Sequence, residues 1–455
     1  MKKSPTPIVS NSSTRQTQQP FPSSRARIPS RQAIALISEH GDPAAEIGKD
    51  AAGGQNVYVR QVGEALAKLG WQVDMFTRKS SPTDETIVYH TPHCRTIRLT
   101  AGPEAYIPRD RLFEYMPEFV AAFQKFQQKE GTNYPLVHTN YWMSGWVGLQ
   151  LQQQNNLQLI HTYHSLGAVK YRTVNDIPVI AQTRLAVERQ ILEQSHCVVS
   201  TSPQEVEDLR KLVSQRGNVE IIPCGTDVEN FYPLSKAEAR QQLGLDSKDK
   251  VVLYVGRFDP RKGIETLVRA YAELRDRLTA QELDPQHLHL LIVGGSDPKE
   301  ADGAERERIA GLVESLGIAE FTTFVGMVGH DRLPYYYTAA DVCVIPSHYE
   351  PFGLVAIEAM ACGTPVVASA VGGLKFTVIP DETGLLVSPQ DVNGFATAIE
   401  RILADNLWAH KVRKQASARV QENFSWTGVA IQLSDLYRRL LAQSLLGAGI
   451  YRKAS

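Results

Sequence analysis

Val251-Val252-Leu253-Tyr254-Val255-Gly256-Arg257-Phe258-Asp259-Pro260-Arg261-Lys262-Gly263 is an apolar run that stops at a glycine and continues into a charged turn. A short run of branched and aromatic residues closed by turn residues reads as a strand buried on both faces. The pattern recurs at 288–293, 321–325, 342–345, 366–368 and 385–387, with helix-period stretches between the runs. Alternating strands and helices are the signature of βαβ units around a parallel sheet.

A similar series precedes it. Ala33-Ile34-Ala35-Leu36-Ile37 predicts a first strand, and Val59, Val62, Leu66 and Leu69 predict a helix that Gly70 caps. Further strands are expected at 73–77, 136–138, 157–162, 197–201 and 219–222. Two Rossmann-like, doubly wound α/β domains follow, over 31–232 and 233–425, with the polar stretch 232–250 as a linker carrying a short helix. Val429, Leu433, Leu436, Leu440 and Leu441 predict a last helix within 426–455, long enough to cross back to the first domain. Residues 1–30 are dominated by Ser, Thr, Pro and Gln and contain no acid, so they are expected to be a disordered tail. An organelle transit peptide is the alternative, although the proline spacing spoils an amphipathic helix.

Composition narrows the function. The 455 residues carry 48 Lys plus Arg against 49 Asp plus Glu, so no global field exists to hold a nucleic acid or an anionic membrane. No apolar run is long enough for a membrane span. Cys94, Cys197, Cys224, Cys343 and Cys362 are scattered and form no CxxC pair, which argues against a disulfide frame or zinc site and for a reducing, cytoplasmic compartment.

In open α/β sheets ligands sit outside the carboxyl ends of the strands, so the loops after the strands matter most. The loop after the first strand holds Gly53-Gly54-Gln55-Asn56, where the glycines admit close backbone approach and the helix start favours a phosphate or a hydroxyl-rich sugar. It is not GxGxxG, and no Walker sequence occurs, which removes the main support for dehydrogenases and P-loop kinases. Arg257 and Lys262 flank the turn after 251–256, where two fixed cations can neutralise a diphosphate without a metal; a solvated turn paired to acids such as Asp259 is the plain alternative. Ser347-His348-Tyr349-Glu350-Pro351-Phe352-Gly353-Leu354-Val355-Ala356-Ile357-Glu358 places one acid before a helix start at Phe352, Gly353 and Leu354, and a second acid further along that helix. Carboxylates accept hydrogen bonds from paired hydroxyls, so Glu358 suits a ribose and Glu350 a donor sugar. No His, Asp and Glu cluster has metal-ligand spacing, so neither a metal nor a cofactor is expected.

With these motifs assembled, the chain resembles the family 4 retaining glycosyltransferases of the GT-B fold, two Rossmann-like domains facing a central cleft, over nearly all of its length outside the tail. Within that family the segments 52–59, 73–78 and 161–167 are most similar to the bacterial sucrose-phosphate synthase branch, and also resemble the transferases of mycothiol synthesis. The resemblance implies transfer of glucose from UDP-glucose or ADP-glucose to fructose 6-phosphate, with a separate phosphatase acting on the product. It implies that Gly54, Arg257, Lys262, Glu350, Phe352, Gly353, Leu354 and Glu358 bind the donor and that His164 contacts its sugar near the reacting carbon. Gly53, Gln55, Arg109, Tyr141, Ser165, Lys170 and Arg184 match positions that hold the acceptor or its phosphate, a Lys standing in the relatives where this chain has Arg109. His164, Arg257, Lys262 and Glu350 would be the catalytic set. Inositol phosphate or free fructose as acceptor, a nucleotide-sugar epimerase on the same fold, and a silent sugar-binding protein are the other readings. His138 and His161, inside or ending apolar runs, read as core histidines.

Overall fold

A strand with apolar side chains on both faces must be covered on both sides, and the computed structural model shows how this chain does so. It describes residues 31–45, 54–172, 177–280, 285–296 and 301–451; the expected tail, 1–30, and Gly53 lie outside the described residues. The first sheet contains β1 (Ala33–Ile37), β2 (Gln72–Arg78), β3 (Ile87–Thr91), β4 (Cys94–Leu99), β5 (Leu136–Asn140), β6 (Gln158–Thr162), β7 (Cys197–Ser200) and β8 (Val219–Ile221), in the order β3-β4-β2-β1-β5-β6-β7-β8. The second contains β9 (Lys250–Val255), β10 (Leu288–Val293), β11 (Thr322–Gly326), β12 (Val342–Ile345), β13 (Val366–Ser369) and β14 (Gly384–Val387), in the order β11-β10-β9-β12-β13-β14. Every pairing is parallel except β3 with β4. In each sheet the strand order reverses beside the first strand, between β1 and β5 and between β9 and β12, which opens a crevice at the strands' carboxyl ends.

The hairpin β3–β4 is absent from the strands expected above. β3 carries Tyr89, His90 and Thr91 and is a partly exposed edge strand, and β4 is interrupted by Arg95, Thr96 and Arg98, so neither segment is a continuous apolar run. The run at 321–325 begins one residue late as β11, because Phe321 closes a 3₁₀ turn.

Alternation along the strands divides the core. Ala35 and Ile37 of β1 face one cluster with Phe76, Phe119 and Phe123, while Val252 and Tyr254 of β9 face another with Leu267, Tyr271 and Phe395. Ile34 and Leu36, together with Val251 and Leu253, belong to a third cluster shared by both lobes. The helix Trp426–Tyr451 contributes Trp426, Val429, Leu433, Leu436 and Tyr437 to it. Ser434 Oγ accepts the Trp71 indole N–H at 2.9 Å, and the Tyr437 hydroxyl lies 2.6 Å from His138 Nδ1. Burial pushes His138 down to about 3, so its ring is a neutral member of this core. His161 is buried as well, with Nδ1 2.9 Å from the Thr139 hydroxyl.

Leu433 is fully buried in the shared cluster, so Leu433→Ala is expected to cost roughly 2–5 kcal/mol. A lowered urea midpoint would register this, whereas an unchanged midpoint would mean that the last helix adds little to the core.

Candidate active site

The crevice between β9 and β12 is built by backbone first. The turn after β9 passes through a 3₁₀ segment, Pro260–Lys262, capped by the Asp259 carboxylate on the Arg261 N–H at 2.9 Å. The Arg261 carbonyl then accepts the His348 N–H at 2.8 Å, which fixes the β9 turn against the loop after β12. Gly263 has φ +67, and a Cβ there would stand 2.1 Å from the Pro346 carbonyl oxygen, so only glycine permits this approach.

The result brings Lys262 Nζ to 2.6 Å from Glu350 Oε2. The expected phosphate clamp and the expected sugar acid therefore meet as a partly buried ion pair. Arg257 is exposed at the same strand end, with its carbonyl accepting the Tyr254 hydroxyl at 3.0 Å. Glu350 is followed by Gly353, whose φ of +98 turns the chain into the helix Leu354–Ala361, where no side chain caps the start. The first N–H groups of that helix are thus available to a ligand. Further along it, Glu358 accepts the Tyr337 hydroxyl at 2.8 Å. The residue keeps some solvent exposure, yet its carboxyl sits deep enough for burial to push it up to about 7, a shift that Tyr337 only partly offsets.

The first lobe supplies the facing wall. Gly54 opens the helix Gly54–Lys68, and a Cβ there would lie 2.9 Å from Leu354 Cδ1 of the other lobe. Gln55 Nε2 donates to the Ser38 hydroxyl at 2.9 Å. His164, after β6, has φ +56 and its Nε2 is 2.8 Å from Asn140 Oδ1; its ring packs edge-on against Tyr58. Burial, with His138 and His40 nearby, pushes it down to about 3, which leaves a neutral imidazole. Tyr141, after β5, also has a left-handed backbone, φ +76. Two non-glycine residues held in this region side by side mark a wall that the surrounding packing over-determines.

Of the expected acceptor residues, Arg109, Arg184 and Ser165 come together around Tyr141. The guanidinium groups of Arg184 and Arg109 stand 5.1 and 5.9 Å from its ring centre. Arg184 is 2% exposed: its Nε bonds Glu188 at 2.7 Å, Nη1 the Tyr141 hydroxyl at 3.3 Å and Nη2 the Ser165 carbonyl at 2.5 Å. Arg184 thereby holds Tyr141 and Ser165 in place. Burial, followed by Arg184, Arg261 and Arg109, pushes Lys170 down to about 8. Gly53 lies outside the described residues.

Several side chains at this site were not singled out from the sequence. Glu39 is 1% exposed, accepts a hydroxyl bond from Ser144, and takes His40 Nδ1 at 2.6 Å; the His40 ring packs on Tyr141. Both follow β1 directly, where reading the whole loop after the strand would have reached them. Arg261 faces Lys170 from the second lobe, and Tyr349 hydrogen-bonds Ser165 across the cleft. Among the described residues, no three His, Cys, Asp or Glu side chains are placed to share a metal ion.

Comparison with known proteins agrees with this geometry. Residues 235–421 match the family model for glycosyl transferases group 1, and residues 53–225 match that for the glycosyl transferase 4-like domain. The chain is 36% identical to D-inositol 3-phosphate glycosyltransferase of Corynebacterium jeikeium, covering 90% of this chain and 96% of the relative. The structure of sucrose-phosphate synthase from Thermosynechococcus elongatus superposes with a TM-score of 0.83 at 59% identity, covering 91% of this chain and 100% of that one. HepE from Anabaena shares the fold alone, with a TM-score of 0.68 at 19% identity over 90% of this chain and 100% of that one. The two parallel-sheet domains are those of the GT-B glycosyltransferases.

Glu358 has a folded pKa raised from its ordinary 4.5, so its protonated form stabilises the fold fully below that value and the contribution is lost as pH rises through about 7. Glu358→Gln is therefore expected to be more stable than the parent at about pH 8, by of order 1–3 kcal/mol, with the gap closing towards about pH 4.5. Melting temperatures of the two proteins across that range would test it.

Proposed function

The chain belongs to the glycosyl transferases group 1 family, and from that membership we propose that it is a retaining glucosyltransferase moving glucose from UDP-glucose or ADP-glucose to fructose 6-phosphate, giving sucrose 6-phosphate. The observation that carries the reading is the packing of Arg109 and Arg184 against Tyr141, with Lys170 within electrostatic reach of both, apart from Arg257 and Lys262 in the turn after β9. Two positive centres suit two phosphate-bearing substrates. The 59% identity to the T. elongatus enzyme, over almost the whole chain, supports fructose 6-phosphate as the acceptor. Relatives named as D-inositol 3-phosphate glycosyltransferases favour inositol phosphate as the second reading.

In this reading no side chain attacks the sugar. The bond to the nucleotide loosens into an oxocarbenium-like state, and the charge developing on the diphosphate is met by Arg257, Lys262 and the open helix start at Gly353. Glu350 holds the donor sugar, Glu358 the ribose, and neutral His164 the sugar near the reacting carbon. The acceptor hydroxyl enters on the face the nucleotide leaves, and the departing phosphate takes its proton. The two cations fill the neutralising role open to a divalent ion, so catalysis is proposed to be metal-independent and cofactor-free. A separate phosphatase would then hydrolyse the product. All five cysteines are buried free thiols, in keeping with a reducing cytoplasm.

Incubation with either nucleotide glucose and each of fructose, fructose 6-phosphate and inositol phosphate tests the assignment. A disaccharide phosphate from fructose 6-phosphate alone is expected; equal use of free fructose, a product only with inositol phosphate, or an epimerised nucleotide sugar without acceptor would each replace it. Lys262→Ala should lower kcat by roughly 10²–10³-fold with little change in acceptor KM. Turnover should survive a chelator, and activity lost to it and restored by Mg²⁺ would refute metal independence.

A further inference from the structure

We propose that the second lobe carries a separate binding site for a small phosphate-type anion, on the side away from the cleft. It lies where β9 and β12 begin, whereas Arg257, Lys262 and Glu350 lie where those strands end. The cavity there is about 250 Å³ and is lined by Lys236, Lys250, Asp341, Asn406, His410 and Arg413, over a floor from the end of the helix Val392–Ala404. That is below the size of cavities that take drug-sized ligands, and it suits inorganic phosphate or a short phosphate ester.

Its charge is one-sided. Asp341 is the acid in the lining, and its carboxylate already takes Lys236 Nζ at 2.6 Å, Arg240 Nη2 at 2.9 Å and the Val251 N–H at 2.8 Å. Arg413 Nη2 donates to the Asp341 main-chain carbonyl at 3.5 Å and stands 3.9 Å from the carboxylate. Asp405, next to the cavity in sequence, is engaged in capping the helix Asn406–Asn423 through the Trp408 N–H. Among the described residues, Lys250 and His410 enter no ion pair. Burial pushes Lys236 down to about 8 despite the pull of Asp341, with Arg413 and Arg240 adding to the shift; Arg413 is lowered by its burial too. Cations held at mutual cost around a saturated carboxylate gain from an added anion, and a guanidinium fork beside an ammonium matches the geometry of phosphate better than that of chloride.

The test uses the full chain. Thermal unfolding and calorimetric titration with inorganic phosphate are compared with chloride at equal ionic strength, for the parent, for a Lys250→Ala/His410→Ala double variant, and for Lys170→Ala in the acceptor niche. Asn406→Asp, which adds a repelling charge at an exposed helix position, is a second variant that leaves the Asp341 pairs intact. Phosphate should raise the melting temperature of the parent and of Lys170→Ala, while the double variant and Asn406→Asp need about tenfold more phosphate for the same shift. No response beyond that to chloride, an unweakened response in both cavity variants, or a response abolished by Lys170→Ala would overturn the proposal.

Discussion

The hydrogen bond from the His348 N–H to the Arg261 carbonyl is the contact on which the donor side of the cleft depends. It joins the turn after β9 to the loop after β12, two segments more than eighty residues apart in the chain, at the point where the strand order reverses. Cation and acid reach one another, and face the open helix start, only because that bond and the Gly263 approach hold their backbones together. An oriented clamp costs no reorganisation when charge develops on a leaving group, which is why rigid backbone matters more here than the number of charges.

The acceptor side is built differently. Its rigidity comes from a buried pair, Arg184 with Glu188, whose remaining donors reach Ser165 and Tyr141. Glu188 also accepts the Gly167 N–H, so one carboxylate fixes both the arginine and the loop it supports. Removing either partner would strand a charge without water, and such pairs are costly to break even where they add little net stability. Glu39 performs a comparable task for His40 on the other side of Tyr141.

Both sheets were legible because β1, β9 and their neighbours are buried on two faces and so read as unbroken apolar runs. β3 and β4 were not, since Tyr89, His90 and Thr91 at the sheet edge and Arg95, Thr96 and Arg98 in the strand beside it break the apolar run. At the site, Arg257, Lys262, Glu350 and Glu358 stood out through spacing around strand ends and a helix start. That Lys262 and Glu350 would pair, that Arg184 would be enclosed, or that Arg261 would face Lys170 from the opposite lobe could not be read, because each depends on how distant segments approach. His40 was within reach, but it lies at the far end of its loop from the Gly53-Gly54 pair that drew attention there.

The helix Trp426–Tyr451 fills a groove in the half of the molecule that is synthesised first. While the ribosome is still translating the second half, Trp71, Tyr58 and Leu66 have no permanent cover. The leading half therefore emerges with an unfinished apolar flank and must await the closing helix, a period in which chaperone capture or misassociation competes with completion.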